Sequence, residues 1–178
     1  MSGERIKVTA PFSDGAIRSL AAGDALSISG VLYTARDAAH KKLVEMASRG
    51  EKMPFEFAGA AVYYAGPTPA RPGAVIGSAG PTTSGRMDAY SPTLMALGLK
   101  VMIGKGLRNA EVKRAIVEYA GLYLAATGGA AALIARSVKS SEMVAFPELG
   151  TEAICRLVVE NFPAIVAIDS TGRDIYER

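Results

Sequence analysis

In Gly80-Pro81-Thr82-Thr83-Ser84-Gly85-Arg86, three hydroxyls stand in succession and a guanidinium closes the run. The 31 residues between Glu56 and Asp88 carry only two charges, Arg71 and Arg86, so no carboxylate competes for those donors. The same stretch holds six glycines and four prolines, which excludes a helix and implies that its side chains bury little. Hydroxyl, amide and guanidinium donors gathered in this way suit an anion, and glycine lets that anion approach the main chain. An ordinary surface loop between two strands has the same composition; Arg86, the lone charge at its end, favours the anion.

Two more cations fall at telling places. Thr34-Ala35-Arg36-Asp37 has the spacing of a capping box, with the carboxylate three residues after the hydroxyl, and this puts Arg36 in the first turn of a helix. A cation there opposes the helix dipole, which leaves room for a functional reason beside the plain one of a solvated surface arginine. Lys105 sits between Gly104 and Gly106 after an apolar run, at the carboxyl end of a strand where α/β folds gather their ligand groups, although a loop lysine fits the spacing as well. His40, four residues beyond Arg36, either shares that face as a proton carrier or is a helix-surface histidine. Cys155, among Ile154, Val158 and Val159, reads as core packing. The glycine order matches neither a dinucleotide fingerprint nor a P-loop, and no nucleophile, base and orienting acid can be assembled. The residues offer an anion-binding surface more clearly than a self-sufficient catalytic centre.

These side chains need elements to hold them. Leu99–Ile103 predicts a strand, Asn109 caps a helix bearing Val112, Ala115, Ile116 and Tyr119, and Leu122–Thr127 predicts another strand. A small-residue helix is expected after Gly128-Gly129, a short strand at Met143–Phe146, a helix from Thr151 to about Asn161, and a buried strand at Ala164–Ile168 before the turn Ser170–Arg173. Nearer the start, Ile6–Thr9 and Leu26–Tyr33 alternate as half-exposed strands around the turn-rich Gly23-Asp24, and the helix after Asp37 carries Ala39, Leu43 and Ala47 on one stripe. Alternation of strands and helices argues for an α/β fold.

Composition narrows the function. The 178 residues, 49% hydrophobic and 21% charged, suit one folded domain over 1–178. The longest uncharged window, Tyr119–Ala135, is too short and too alanine-rich for a membrane span, and Met1–Ile6 contains no export signal, so a cytoplasmic protein is expected. The net charge of +3 comes from lysines and arginines spread along the chain, without a basic run interleaved with aromatics; no nucleic-acid partner is expected. One cysteine and one histidine exclude an internal disulfide and any Cys/His metal cage built by this chain alone.

Tyr33-Thr34-Ala35-Arg36-Asp37-Ala38-Ala39-His40-Lys41, Gly80–Asp88 and Gly104-Lys105-Gly106, followed by Phe146–Ile154 and Val159–Ala164, together resemble the C-terminal domain, or β subunit, of class I fumarate hydratases and the related L-tartrate dehydratases. The resemblance runs in order from about Ile6 to the end. It implies an α/β swivelling β/β/α domain with a mixed sheet, forming half of a two-part hydro-lyase. It also implies an α subunit whose three cysteines hold a four-iron four-sulfur cluster, a dicarboxylate substrate, and a hetero-oligomer of α2β2 type. The family's dicarboxylate clamp falls on Arg36, Arg86 and Lys105, and its proton-transfer hydroxyl on Thr82. Reversible hydration of fumarate to malate is the activity so implied. L-tartrate dehydration uses the same clamp, and a non-catalytic anion-binding or assembly module of the same fold is the alternative outside enzymes.

Overall fold

In the computed structural model, which describes residues 3–126 and 131–177, seven strands form one mixed sheet. The strands are β1 (Ile6–Ala10), β2 (Ala25–Thr34), β3 (Ala61–Tyr63), β4 (Val101–Gly104), β5 (Leu122–Ala125), β6 (Val138–Ala145) and β7 (Ile154–Ile168). The helices are α1 (Asp14–Ser19), α2 (Asp37–Ser48), α3 (Ser91–Ala96), α4 (Ala110–Tyr119) and α5 (Ala131–Ser137). Strands β1 to β5 run parallel in sequence order, each joined to the next through a connection carrying a helix. β7 then pairs antiparallel with β5, β6 and β2. Because β7 touches both β5 and β2, the strands β2-β3-β4-β5-β7 close into a barrel-like ring.

Period-two alternation divides the apolar residues of these strands between two buried faces. Ala61, Tyr63, Val101, Ile103, Leu122 and Leu124 join one cluster, whereas Val62, Met102 and Tyr123 meet Leu43, Leu94 and Ile116 of the helices in another. Burial on both faces explains why these strands read as continuous apolar runs. No helix among the described residues is long and apolar enough to cross a membrane.

The α/β architecture and the strands expected around residues 6–9, 26–33, 99–103 and 122–127 are present, as are Asn109 as the cap of α4 and the helix following Gly128-Gly129. Thr127 and Gly128-Gly129 themselves lie outside the described residues, as do Met1 and Ser2. Three expectations are corrected. The helix from Thr151 to Asn161 does not exist: 147–152 is a 3-10 segment, and 154–168 is one continuous strand. Its buried positions Ile154, Leu157, Val159 and Phe162 imitate helical spacing because Ile154 is buried on the face opposite to Leu157 and Val159, and bulges in this strand shift the phase of the alternation beyond them. One is centred on Asn161, with φ of 54°, which accepts a hydrogen bond from Ser27 and donates its N–H to Ser29. The capping box also fails, since Thr34 is the last residue of β2 and its Oγ1 accepts the Cys155 N–H at 3.1 Å. Finally, the glycine-rich stretch buries more than its composition implied, for it begins with β3 and holds the fully buried Tyr63 and Tyr64. The strand expected at Met143–Phe146 is the end of the longer β6, and α1, started by the Ser13 cap, was not legible in the alternation.

Candidate functional site

The carboxyl ends of β2, β3 and β4 finish level. Thr34 pairs with Tyr63 and Tyr63 with Ile103, so the chain leaves all three strands on the same side. Arg36 lies two residues beyond Thr34, Lys105 two beyond Ile103, and Thr82 is tied to the end of β3 by its N–H, which donates to the Tyr64 carbonyl at 2.7 Å. Two of the four positions singled out in the sequence are therefore gathered by register, and a third, Thr82, by that hydrogen bond.

Arg36 is the N-cap of α2 and not part of its first turn, with extended φ and ψ of −119° and −161°. The guanidinium still stands at the positive end of the helix, so the conflict with the dipole remains and is offset locally. The first-turn position belongs to Asp37, whose carboxylate suits the dipole, and the Ala38 N–H is taken by Glu152 at 3.3 Å. Gly66 makes room for the arginine: a Cβ there would stand 3.1 Å from Arg36 Cδ and 3.2 Å from Nη1.

Arg86 closes a 3-10 turn, Ser84–Met87, and its Nε donates to Asp37 Oδ1 at 2.9 Å. Arg36 Nη2 stands 3.7 Å from the other Asp37 oxygen. One carboxylate thus lies between the two guanidinium groups. The Lys105 side chain is exposed at the same rim, and its main chain is knitted to the hydroxyl run: Thr83 and Lys105 form a parallel bridge, and the Ser84 N–H donates to the Lys105 carbonyl at 2.8 Å. Thr82 is half-buried, whereas Thr83 and the backbone around Gly85 are exposed.

A buried polar lattice fixes this rim. The Arg108 guanidinium, which is fully buried, donates through Nε to Asp88 at 2.6 Å and through Nη2 to Ser91 at 2.9 Å, and it stacks over the rings of Tyr64 and Tyr123. The second Asp88 oxygen accepts the Asn109 N–H at 2.7 Å. The loop carrying Arg86 is thereby bolted to the loop carrying Lys105. The Tyr123 hydroxyl lies 2.8 Å from both Ser84 Oγ and the Gly106 carbonyl, and Gly104 admits Ser84, since a Cβ at that position would stand 2.0 Å from Ser84 Oγ.

His40 is buried under the same rim. Its Nδ1 and its N–H both meet the Arg36 carbonyl at 2.9 Å, and its ring is edge-on to Tyr64. Burial pushes its pKa down to about 4, against a smaller opposing effect of the Arg36 carbonyl, so the ring is neutral near pH 7 with Nδ1–H donating to that carbonyl. It supports the clamp backbone and is not exposed to exchange protons with a ligand. Cys155 lies on β7 rather than on a helix, with its N–H donated to Thr34 at the end of β2, and burial pushes its thiol up. Sequence reasoning missed Asp37 as a bridge and the Asp88–Arg108 pair. The signal for the pair was weak: one more acid and one more arginine among dispersed charges.

Among the described residues, no three His, Cys, Asp or Glu side chains converge as a metal cage, and the one cysteine is half-buried on a strand. This chain's residues therefore do not fit an iron–sulfur cluster. The rim sets two guanidinium groups and an ammonium beside hydroxyls, and among the described residues Asp37 is the one carboxylate in contact with the arginines, an arrangement suited to an anion.

Residues 2–178 match the family described as Fumarase C-terminus. The chain is 43% identical over 155 residues to "Fumarate hydratase class I, aerobic" of Escherichia coli (strain K12), covering 86% of this chain and 28% of that protein. It is 40% identical over 158 residues to "Fumarate hydratase 2" of Leishmania major, covering 88% and 28%. It therefore spans 28% of the length of each of these two relatives. A third relative is of similar size: "Putative L(+)-tartrate dehydratase subunit beta" of Methanocaldococcus jannaschii is 42% identical over 167 residues, covering 90% of this chain and 86% of that one.

Proposed function

This chain belongs to the fumarase C-terminus family, and from that premise we propose that it is the β subunit of a two-subunit iron–sulfur hydro-lyase that reversibly hydrates fumarate to malate. The observation that carries the reading is the pair of guanidinium groups, Arg36 and Arg86, poised on one carboxylate at the strand ends beside Lys105. Residues 1–178 then form one domain, the swivelling β/β/α half of the enzyme, in a cytoplasmic assembly of α2β2 type. The cluster belongs to the α subunit, because the single cysteine of this chain cannot supply three cysteine ligands.

This half serves the carbon-acid side of the reaction. Arg36, Arg86 and Lys105 bind the two carboxylates and hold the reacting carbons in register. Withdrawal of a proton beside a carboxylate builds negative charge on that carboxylate, and cations fixed in advance stabilise the transition state more than the ground state. Thr82, half-buried and tied by its N–H to the Tyr64 carbonyl just beyond β3, is the hydroxyl that moves that proton. A neutral hydroxyl is a weak base, so it requires a carboxylate from the partner to activate it. L-tartrate dehydration is the second reading, favoured by the relative of matching size whose name is a tartrate dehydratase subunit beta.

The test is reconstitution. The chain alone is expected to be colourless and inactive; mixed without oxygen with the cysteine-bearing α subunit, it is expected to restore fumarate hydration or L-tartrate dehydration. Turnover by the isolated chain would refute the two-subunit site, and an inactive complex would refute the hydro-lyase.

A further inference from the structure

Among the described residues Asp37 is the one acidic side chain in contact with the clamp arginines, and neither composition nor the capping pattern gave it a part there. Its Oδ1 accepts from Arg86 Nε at 2.9 Å, while its Oδ2, closed off from solvent, faces Arg36 Nη2 at 3.7 Å without a hydrogen bond. Arg36 Nε is likewise buried without a hydrogen-bond partner among the described residues. Buried polar atoms left unpaired are costly and uncommon, and they concentrate where geometry is kept for another purpose.

The choice of nitrogen matters. A guanidinium presents two bidentate edges, one through Nε and one through the paired Nη groups. With Nε committed to Asp37, rotation of the Arg86 head is restrained and its terminal edge is left for an anion. Charge points the same way. Arg36, Arg86 and Lys105 with Asp37 carry a net charge of plus two, the complement of a dicarboxylate; without the aspartate, the cluster would favour more highly charged anions. Asp37 is well anchored for such a role, since it begins the 12-residue helix α2 and is 30% exposed.

We infer that Asp37 is the positioning residue of the clamp: it orients Arg86 through Nε, holds Arg36 opposite, and matches the cluster's charge to a dianion. The inference rests on the dicarboxylate reading of this rim. Its test uses the full chain labelled with 15N in arginine, with Nε–H resonances assigned through R36K and R86K. In the wild type, exchange of Arg86 Nε–H with water is expected to be slower than that of the exposed Arg71, and millimolar succinate, an unreactive dicarboxylate, is expected to shift the Arg36 and Arg86 signals together. In D37N, which keeps an acceptor oxygen and loses the charge, the preference for succinate over the tricarboxylate tricarballylate is expected to fall about tenfold. In the assembled enzyme D37N is expected to lower kcat/KM about tenfold, mainly through KM, with D37E between. A merely structural aspartate would alter the melting temperature and leave ligand preference unchanged.

Wild-type Arg86 exchange as fast as that of Arg71, absence of a joint succinate response, or a folded D37N with succinate preference at or above wild type overturns the inference. The two proposals fail separately. An assembly inactive on fumarate and L-tartrate, with the arginine signals behaving as expected, sinks the hydro-lyase and leaves the clamp. Activity lost in R86A and untouched in D37N sinks the role of Asp37 alone.

Discussion

On the proposed function Arg86 and Thr82 have different tasks at the rim, and substitution separates them. Arg86→Ala removes a two-pronged contact to a dianion; in the assembled enzyme this is expected to cost about 2–5 kcal/mol of transition-state stabilisation, read as kcat/KM. Arg86→Lys is expected to recover little, because an ammonium cannot copy the fork or keep the Nε bond to Asp37. Wild-type efficiency in the lysine variant would remove Arg86 from the substrate's ligands. For Thr82, loss of the hydroxyl in Thr82→Ala is expected to collapse kcat while malate still binds, with Thr82→Ser intermediate and the exposed Thr83→Ala as the control. An unchanged kcat in Thr82→Ala would take proton transfer away from it. At this scale the sequence was legible where chemistry is carried by isolated residue types: a lone arginine after three hydroxyls, a lysine between glycines. Asp37 was read as a cap because spacing along a chain cannot show that a side chain is bridged from 49 residues away.

The elements place these groups through two devices that act across the chain. The first is the Asp88–Arg108 pair, with side-chain exposures of 8% and 0%. Asp88→Asn leaves a buried guanidinium without its counter-charge, a loss of about 3–5 kcal/mol, expected as a fall of roughly 10 °C in melting temperature for a domain of this size. Asp14→Asn, which breaks the exposed pair with Lys100, is expected to change stability by less than about 1 kcal/mol and serves as the comparison. The second device is His40. Its folded pKa of about 4 lies below the ordinary 6.5, so the unfolded chain binds a proton that the folded one refuses. Stability from this group is complete above pH 6.5 and is lost as pH falls toward 4, by an amount on the order of 3 kcal/mol. A melting temperature that does not fall over that window, after comparison with His40→Asn, would show that the histidine is not held neutral. Helices with a capping asparagine and a regular apolar stripe, such as α4, were legible in the sequence. The region 151–161 was not, because the bulge at Asn161 changes which side of the strand is buried and Ile154 is buried on the face opposite to Leu157 and Val159, so burial on two faces with one interruption looks like a helical period.

On the scale of the whole molecule, one strand decides whether there is a site at all. β7 lies antiparallel to β2 over Ala25–Tyr33 and also holds β5 and β6, so it both closes the ring and supplies Leu157, Val159, Phe162 and Val166 to the core inside it. Without it, β1 to β5 would be an open parallel sheet with an unpaired edge along β2, which is an aggregation template and not a stable fold. Closure also fixes where β2 ends, and therefore where Arg36 meets Gly66 and Arg86 meets Asp37. Pairing residues 25–33 with 156–165 joins distant parts of the chain, which makes this contact slow to form and makes its loss global. Native-state hydrogen exchange is therefore expected to find the slowest amides in the central parts of β2 and β7, opening only with global unfolding. A chain ended at Ala153 is expected to aggregate and to show no cooperative melting, whereas Phe162→Ala in the full chain is expected to stay folded with a loss of about 3–5 kcal/mol. A soluble, cooperatively melting 1–153 fragment would mean that the parallel strands stand by themselves and that the ring only decorates them.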